Sequence, residues 1–77
     1  MFSFKQLEAI YWIDREGSFS AASQRLHTTQ AAISKRVKEL ESIVGEDVFD
    51  RSLRQARFTE KGLQLLEEFF GEARLPE

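Results

Sequence analysis

The sequence predicts a mainly helical fold, with four helices and a short β-hairpin between the third helix and the fourth. Three observations lead to this prediction. Hydrophobic residues recur at helical spacing in four stretches, each preceded by a serine or threonine that can cap a helix. Glycines follow the first and third stretches, where a helix would end. Two short apolar segments enclose an arginine-rich segment between residues 48 and 58, as a hairpin requires.

The first helix is predicted from Phe4 to Glu16. Ser3 and Gln6 have the spacing of a capping box, in which each side chain bonds to the backbone N–H of the other residue. Gly17 can end the helix in a left-handed turn. Apolar residues at helical spacing give its inward face: Phe4, Leu7, Ile10 and Tyr11.

A short second helix, a tight turn and a longer amphipathic helix follow one another. Ser18 can cap a helix from Phe19 to Leu26, and Thr29 can cap a helix that continues to Val44. The apolar stripe of the long helix has core-facing spacing: Ile33, Val37, Leu40 and Val44. This order of elements is typical of a helix-turn-helix.

The opposite side of the long helix carries five residues within an arc of roughly 140°. They supply two cations, an amide, a hydroxyl and a methyl group, and no acid: Gln30, Ala31, Ser34, Lys35 and Lys38. Such groups suit the floor of the DNA major groove, where an amide can bind adenine and a cation can bind guanine or phosphate. A solvated helix face is the alternative interpretation of the same pattern.

The segment after the long helix predicts a hairpin, or wing, and a final helix. Val48 and Phe49 form the outgoing strand, residues 56–58 form the returning strand, and Arg51 and Arg54 lie between them. Thr59 can cap a helix from about Glu60 to Ala73. Its apolar positions cover more than one stripe: Leu63, Leu65, Leu66, Phe69 and Phe70. They form either an interface with another molecule or the cover of the core.

Composition limits the class of protein and its partners. The 77 residues form one small domain, and the net charge of −2 is unevenly distributed. No acid lies among the four cations of residues 25–38 or the three arginines of residues 51–57, so one face can bind a polyanion. The absence of cysteine excludes a disulfide framework and a thiolate metal site. No secretory signal or apolar run of membrane length occurs, so the expected location is cytoplasmic.

The chain resembles the N-terminal DNA-binding domain of LysR-type bacterial transcriptional regulators. The matching residues occur in order along nearly the whole chain: Leu7, residues 16–19, Ala22, Leu26, His27, residues 30–34, Leu40, Glu41, Gly45, Phe49, Arg51, Phe58, Thr59 and Gly62. The resemblance implies a winged helix-turn-helix in residues 1–58 and a linker helix in residues 59–77. It further implies that the helix of residues 29–44 enters the major groove and that the wing of residues 48–58 lies on the backbone or in the minor groove.

The resemblance also implies roles for individual residues. Gln30, Ala31, Ser34 and Lys35 would read the groove, and Thr29 would bind phosphate at the helix N-terminus. Lys38 is expected to contact DNA beside them, and Arg51 and Arg54 would be the wing contacts. Ala31 stands where the family usually has proline. Lys35 stands where arginine is common, and a lysine lacks the two-pronged fork that grips guanine.

The assembly expected from the resemblance is a homodimer on an inverted-repeat DNA site. The linker helices would pair in antiparallel fashion through five residues: Leu63, Leu65, Leu66, Phe69 and Phe70. A small-molecule effector would act only through a C-terminal domain that this sequence does not contain. No cofactor or metal is expected.

Three other functions fit the sequence less well. An enzyme is disfavoured because His27 is the only histidine and no catalytic or phosphate-binding motif accompanies it. A winged helix that binds protein fits the apolar last helix but gives no reason for two acid-free patches. A metal-oxyanion regulator has a similar N-terminal domain, but residues 17–19 with Leu26 and His27 favour the LysR type.

Overall fold

The structure, a computed structural model, describes residues 3–50 and 57–71. Four helices and a two-stranded antiparallel hairpin lie in this part of the chain. Their bounds are α1 (Phe4–Glu16), α2 (Phe19–Arg25), α3 (Gln30–Val44), β1 (Phe49–Asp50), β2 (Arg57–Phe58) and α4 (Glu60–Phe70). The predicted mainly helical fold with a hairpin before the last helix is confirmed.

Each helix begins where the sequence places a cap. The Ser3 hydroxyl accepts from the Gln6 backbone N–H at 3.3 Å, and the Gln6 side chain accepts from the Ser3 N–H at 3.1 Å. Ser18, Thr29 and Thr59 each accept a hydrogen bond from the N–H three residues later. The caps are predictable because both partners lie within one turn of the chain.

The ends of three elements differ from the prediction. The last helix ends at Phe70 instead of Ala73, because Gly71 is left-handed (φ 86°) and its N–H bonds to the Glu67 carbonyl. The second helix ends at Arg25, one residue early. The outgoing strand begins at Phe49, and the returning strand begins at Arg57 in the described part of the chain.

One hydrophobic core lies between the four helices and the inner side of the hairpin. Its members are Ala9, Ile10, Ile13, Ala22, Ile33, Val37, Leu40, Val48, Phe49, Leu65 and Leu66. The prediction is wrong for Phe4, whose side chain is 74% exposed. Phe4 lies about 120° around the helix from Ile10, outside the stripe that the neighbouring helices cover.

The α4 helix packs closely against the hairpin through Gly62. A Cβ atom at this position would collide with the Val48 carbonyl oxygen and would lie 2.8 Å from the Phe58 ring. Gly62 therefore permits the approach of α4 that buries Leu65 and Leu66. Leu65 and Leu66 thus share one core with α1, α2 and α3, across the predicted division at residues 58 and 59.

Candidate nucleic-acid interface

The turn between α2 and α3 sets the position of the long helix. His27 has a left-handed backbone (φ 55°), and the Thr28 N–H donates to the Ser23 carbonyl at 2.8 Å. Ser23 is buried, and its hydroxyl donates to the Ser20 carbonyl at 2.7 Å. These hydrogen bonds satisfy the Thr28 N–H and the buried Ser23 hydroxyl.

The α3 helix has one buried and one outward side. Ile33, Val37 and Leu40 have no exposed surface. The predicted DNA-contacting residues of this helix share the other side: Gln30, Ala31, Lys35 and Lys38 are exposed, and Ser34 is half-buried. The core therefore fixes α3 and leaves an amide, a methyl, a hydroxyl and two ammonium groups available to a ligand.

The N-terminus of α3 adds a local preference for anions. No acid occurs in its first turn, and the Thr29 hydroxyl oxygen accepts from the Ala32 N–H at 3.0 Å. The first N–H groups of a helix have no acceptor inside the helix, and the helix dipole places partial positive charge there. Phosphate can bind at such a position, as the prediction for Thr29 requires.

The cations of the basic patch predicted from residues 25–38 are mostly exposed. The Arg25 guanidinium lies 4.2 Å from the centroid of the Trp12 ring of α1, and Arg25 stays exposed. Lys35 and Lys38 are exposed, and Arg36 is half-buried. Arg25 of α2 and the two lysines of α3 are therefore open to solvent.

The hairpin follows α3 and carries a further cation. Phe49 pairs with Phe58, and Asp50 pairs with Arg57, whose side chain is exposed. The Phe49 and Phe58 rings are 4.2 Å apart and hold the base of the hairpin on the core. The predicted wing contacts Arg51 and Arg54 lie outside the described residues.

Glu41 has a role that the sequence prediction missed. One oxygen of its half-buried carboxylate accepts from the Val48 N–H at 2.9 Å and from the Phe49 N–H at 3.2 Å. A signal for this role is its place four residues after Val37, beside the apolar stripe, where an acid needs a polar partner. The carboxylate joins α3 to the start of the hairpin.

The prediction of five interface residues on α4 needs correction. Leu65 and Leu66 are 2% and 1% exposed because they pack into the core of their own chain. Leu63 and Phe69 are 39% and 43% exposed, and Phe70 is half-buried with its ring 4.8 Å from that of Tyr11. The surface available to a second molecule therefore contains Leu63, Phe69 and part of Phe70.

Residues 3–50 and 57–71 contain neither a metal-binding cluster nor a membrane-spanning helix. No group of three or more histidine, cysteine, aspartate or glutamate side chains in these ranges is placed to hold a metal ion. No helix in this part of the chain has the length and hydropathy to cross a membrane.

The fold agrees with the match to a known family. The family described as bacterial regulatory helix-turn-helix protein, LysR family, matches residues 4–63. The chain belongs to this family.

Relatives in this LysR family include named transcriptional regulators. The chain is 42% identical to the HTH-type transcriptional regulator CfxR of Cupriavidus necator over 64 residues, which are 83% of the chain and 20% of CfxR. It is 47% identical over 60 residues to an uncharacterized HTH-type regulator of Azotobacter vinelandii, covering 78% of the chain and 42% of that protein. The chain thus spans less than half the length of either relative.

Solved structures of other proteins have the same fold. ArgP from Mycobacterium tuberculosis superposes with a TM-score of 0.80 at 37% identity, over 92% of the chain and 27% of ArgP. The BenM DNA-binding domain in complex with catB site 1 DNA superposes with a TM-score of 0.83, over 91% of the chain and 79% of that domain. Its sequence identity of 21% limits this second likeness to the fold.

Proposed function

We propose that this LysR-family chain is the DNA-binding part of a sequence-specific transcriptional regulator. The observation that carries the proposal is the acid-free, exposed face at the N-terminal half of α3, on a helix whose other side is fixed in the core. An α-helix fits the major groove, where its side chains reach the edges of the bases. The family membership and the named relatives support the same function.

The contacts divide into those that read bases and those that bind phosphate. Gln30, Ala31 and Ser34 give sequence preference, and Lys35 lies close enough to contribute to it or to bind phosphate. Thr29, Lys38 and the arginines of the wing set the position on the backbone. Among these arginines, Arg51 and Arg54 are proposed from the family pattern, and Arg57 is added because it is exposed on β2.

The second part of the proposal is a homodimer that places two α3 helices on an inverted-repeat site. Leu63 and Phe69 are exposed apolar residues on α4, and Phe70 adds part of its ring. A two-fold axis through paired helices would turn the two α3 helices toward successive half-sites. Leu65 and Leu66 support this surface from inside the protomer.

The regulator works in the cytoplasm and acts as a binding protein and not as an enzyme. The family membership and the relatives named as transcriptional regulators support these assignments.

Titration of the chain into labelled duplex DNA, followed by fluorescence anisotropy at several salt concentrations, tests the proposal. We expect affinity to fall linearly on a logarithmic scale as salt rises, because phosphate contacts release counterions. A plot of log affinity against log salt concentration has a negative slope, the salt slope. Lys38→Ala should reduce the magnitude of this slope by about 0.9, the value for one phosphate. The matched control is Lys5→Ala, which removes an exposed lysine of α1. Absence of binding at low salt by the folded dimer would contradict the proposal.

A further inference from the structure

Glu41 joins α3 to the hairpin by two hydrogen bonds on one oxygen atom. The Oε2 atom of this α3 residue accepts from the N–H of Val48 at 2.9 Å and from the N–H of Phe49 at 3.2 Å. Val48 is fully buried, and Phe49 is the first residue of β1. The bonds therefore act where the chain enters the hairpin.

Residues 47–49, which we call the entry segment, lead from α3 into the hairpin. This segment is also bound by Thr59. The Thr59 hydroxyl donates to the Asp47 carbonyl at 2.7 Å, and the Thr59 N–H donates to the Val48 carbonyl at 2.9 Å. The entry segment is thus bound to α3 through Glu41 and to the start of α4 through Thr59. Burial of Phe49 holds the hairpin against the core, but apolar contacts are not directional. Hydrogen bonds are directional, so those of Glu41 and Thr59 set the orientation of the hairpin.

We propose that Glu41 is a positioning residue that orients the hairpin relative to α3, so that both elements contact one DNA duplex at the same time. This inference rests on the proposed function. An ionised carboxylate forms stronger hydrogen bonds with N–H groups than a neutral acceptor does. Glu41 therefore holds the hairpin in place before DNA binds, which lowers the ordering cost of binding.

Because Glu41 is an acid, its positioning role can be distinguished from a purely electrostatic effect on DNA binding. Removal of an acid from a DNA-binding helix should by itself strengthen binding to a polyanion. A hairpin that is no longer positioned should weaken binding and lower the salt slope, because fewer phosphates are bound at once. The two explanations thus predict changes of opposite sign.

The experiment compares Glu41→Ala and Glu41→Gln with the control Glu39→Ala. Glu39 is an exposed acid of the same helix, and its carboxylate accepts a 3.4 Å hydrogen bond from the Gln6 side chain. For folded Glu41→Ala we expect weaker DNA binding and a slope reduced by about 0.9 for each phosphate that the hairpin no longer reaches. Glu41→Gln should lie between this variant and the wild type, because an amide oxygen still accepts a hydrogen bond. Glu39→Ala should bind as tightly as the wild type or more tightly.

Amide hydrogen exchange provides the second measurement, and it does not depend on Glu41→Ala being folded. In Glu41→Gln, exchange at the Val48 and Phe49 amides should accelerate together with the fall in slope. Faster amide exchange with an unchanged salt slope of DNA binding would overturn the inference. Equal salt slopes and equal DNA affinities for the Glu41 variants and Glu39→Ala would also overturn it. Absence of salt-dependent binding by the wild type would overturn the proposed function and this role together. Wild-type binding with unchanged Glu41 variants would overturn this role alone.

Discussion

Gln30 occupies the first position of α3, and its exposed side chain takes no part in the cap of that helix. A primary amide can donate and accept at once, which matches the donor and acceptor that adenine presents in the major groove. Lysine contacts with phosphate add affinity without sequence information. Sequence preference and affinity therefore belong to different residues of the same face.

Substitution Gln30→Ala is expected to reduce discrimination between the preferred site and a scrambled site by ~1–3 kcal/mol, the value of one good base contact. The salt slope should stay the same, because the variant binds the same phosphates as the wild type. Competition titrations with both duplexes measure the difference, and Gln24→Ala, an exposed glutamine on α2, serves as the control. An unchanged preference in Gln30→Ala would contradict the base-reading role.

At the scale of elements, α4 and the hairpin depend on close approach at Gly62. The Val48 carbonyl that a Cβ atom would strike is backbone, and it is already held by the Thr59 N–H. This neighbour cannot move aside without breaking a hydrogen bond. The hairpin, the entry segment and α4 therefore contact one another at Gly62.

Replacement Gly62→Ala should lower the free energy of unfolding by about 1–3 kcal/mol through overpacking. The higher helix propensity of alanine, worth roughly 1 kcal/mol, offsets part of this destabilisation. Urea denaturation followed by circular dichroism measures the change. Gln64→Ala, at an exposed position of the same helix, should leave stability nearly unchanged. A Gly62→Ala variant as stable as the wild type would show that α4 sits farther from the hairpin than described.

Elements that depend on neighbouring residues in sequence are predictable, and contacts between distant residues are less so. The caps of Ser3, Ser18, Thr29 and Thr59 follow from local chemistry, and the structure confirms them. Which side of an amphipathic helix is covered depends on the elements around it. For that reason helical spacing alone assigns Phe4 to the core although it is exposed.

The candidate site shows the same contrast between local and distant information. The outward positions of residues 30–38 follow from helical spacing once the apolar stripe is known. The Arg25 guanidinium stacks on Trp12, thirteen residues earlier, while Arg25 stays exposed. Glu41 bonds to residues seven and eight positions later, across the end of its helix. Sequence spacing alone contains neither contact.

At the scale of the whole molecule, a net charge of −2 does not prevent a local positive face, because residues 29–38 carry exposed lysines and no acid. Lys35 and Lys38 are exposed on α3, whereas the acids Glu67 and Glu68 are exposed on α4. Attraction and repulsion act over about 10 Å at ordinary salt, so the local face decides the orientation of binding. DNA should approach the α3 side, which leaves α4 available for a second protomer.

Phe69→Asp and Leu65→Asp should separate dimerisation from folding. Phe69 is 43% exposed, so Phe69→Asp should shift sedimentation from dimer to monomer while the circular dichroism spectrum is retained. Leu65 is 2% exposed, so an aspartate there buries a charge and should unfold a domain whose stability is about 5–15 kcal/mol or less. A monomeric wild type at high concentration would contradict the proposed interface.

Chemical-shift mapping by NMR reports which face of the molecule meets DNA. The measurement adds a duplex to the isotope-labelled chain and follows every backbone amide. We expect the largest shifts at residues 29–38 and at Arg57. Shifts confined to the groove lined by Phe4, Tyr11, Trp12 and Phe70 on the α1 and α4 side, with residues 29–38 unchanged, would contradict this expectation.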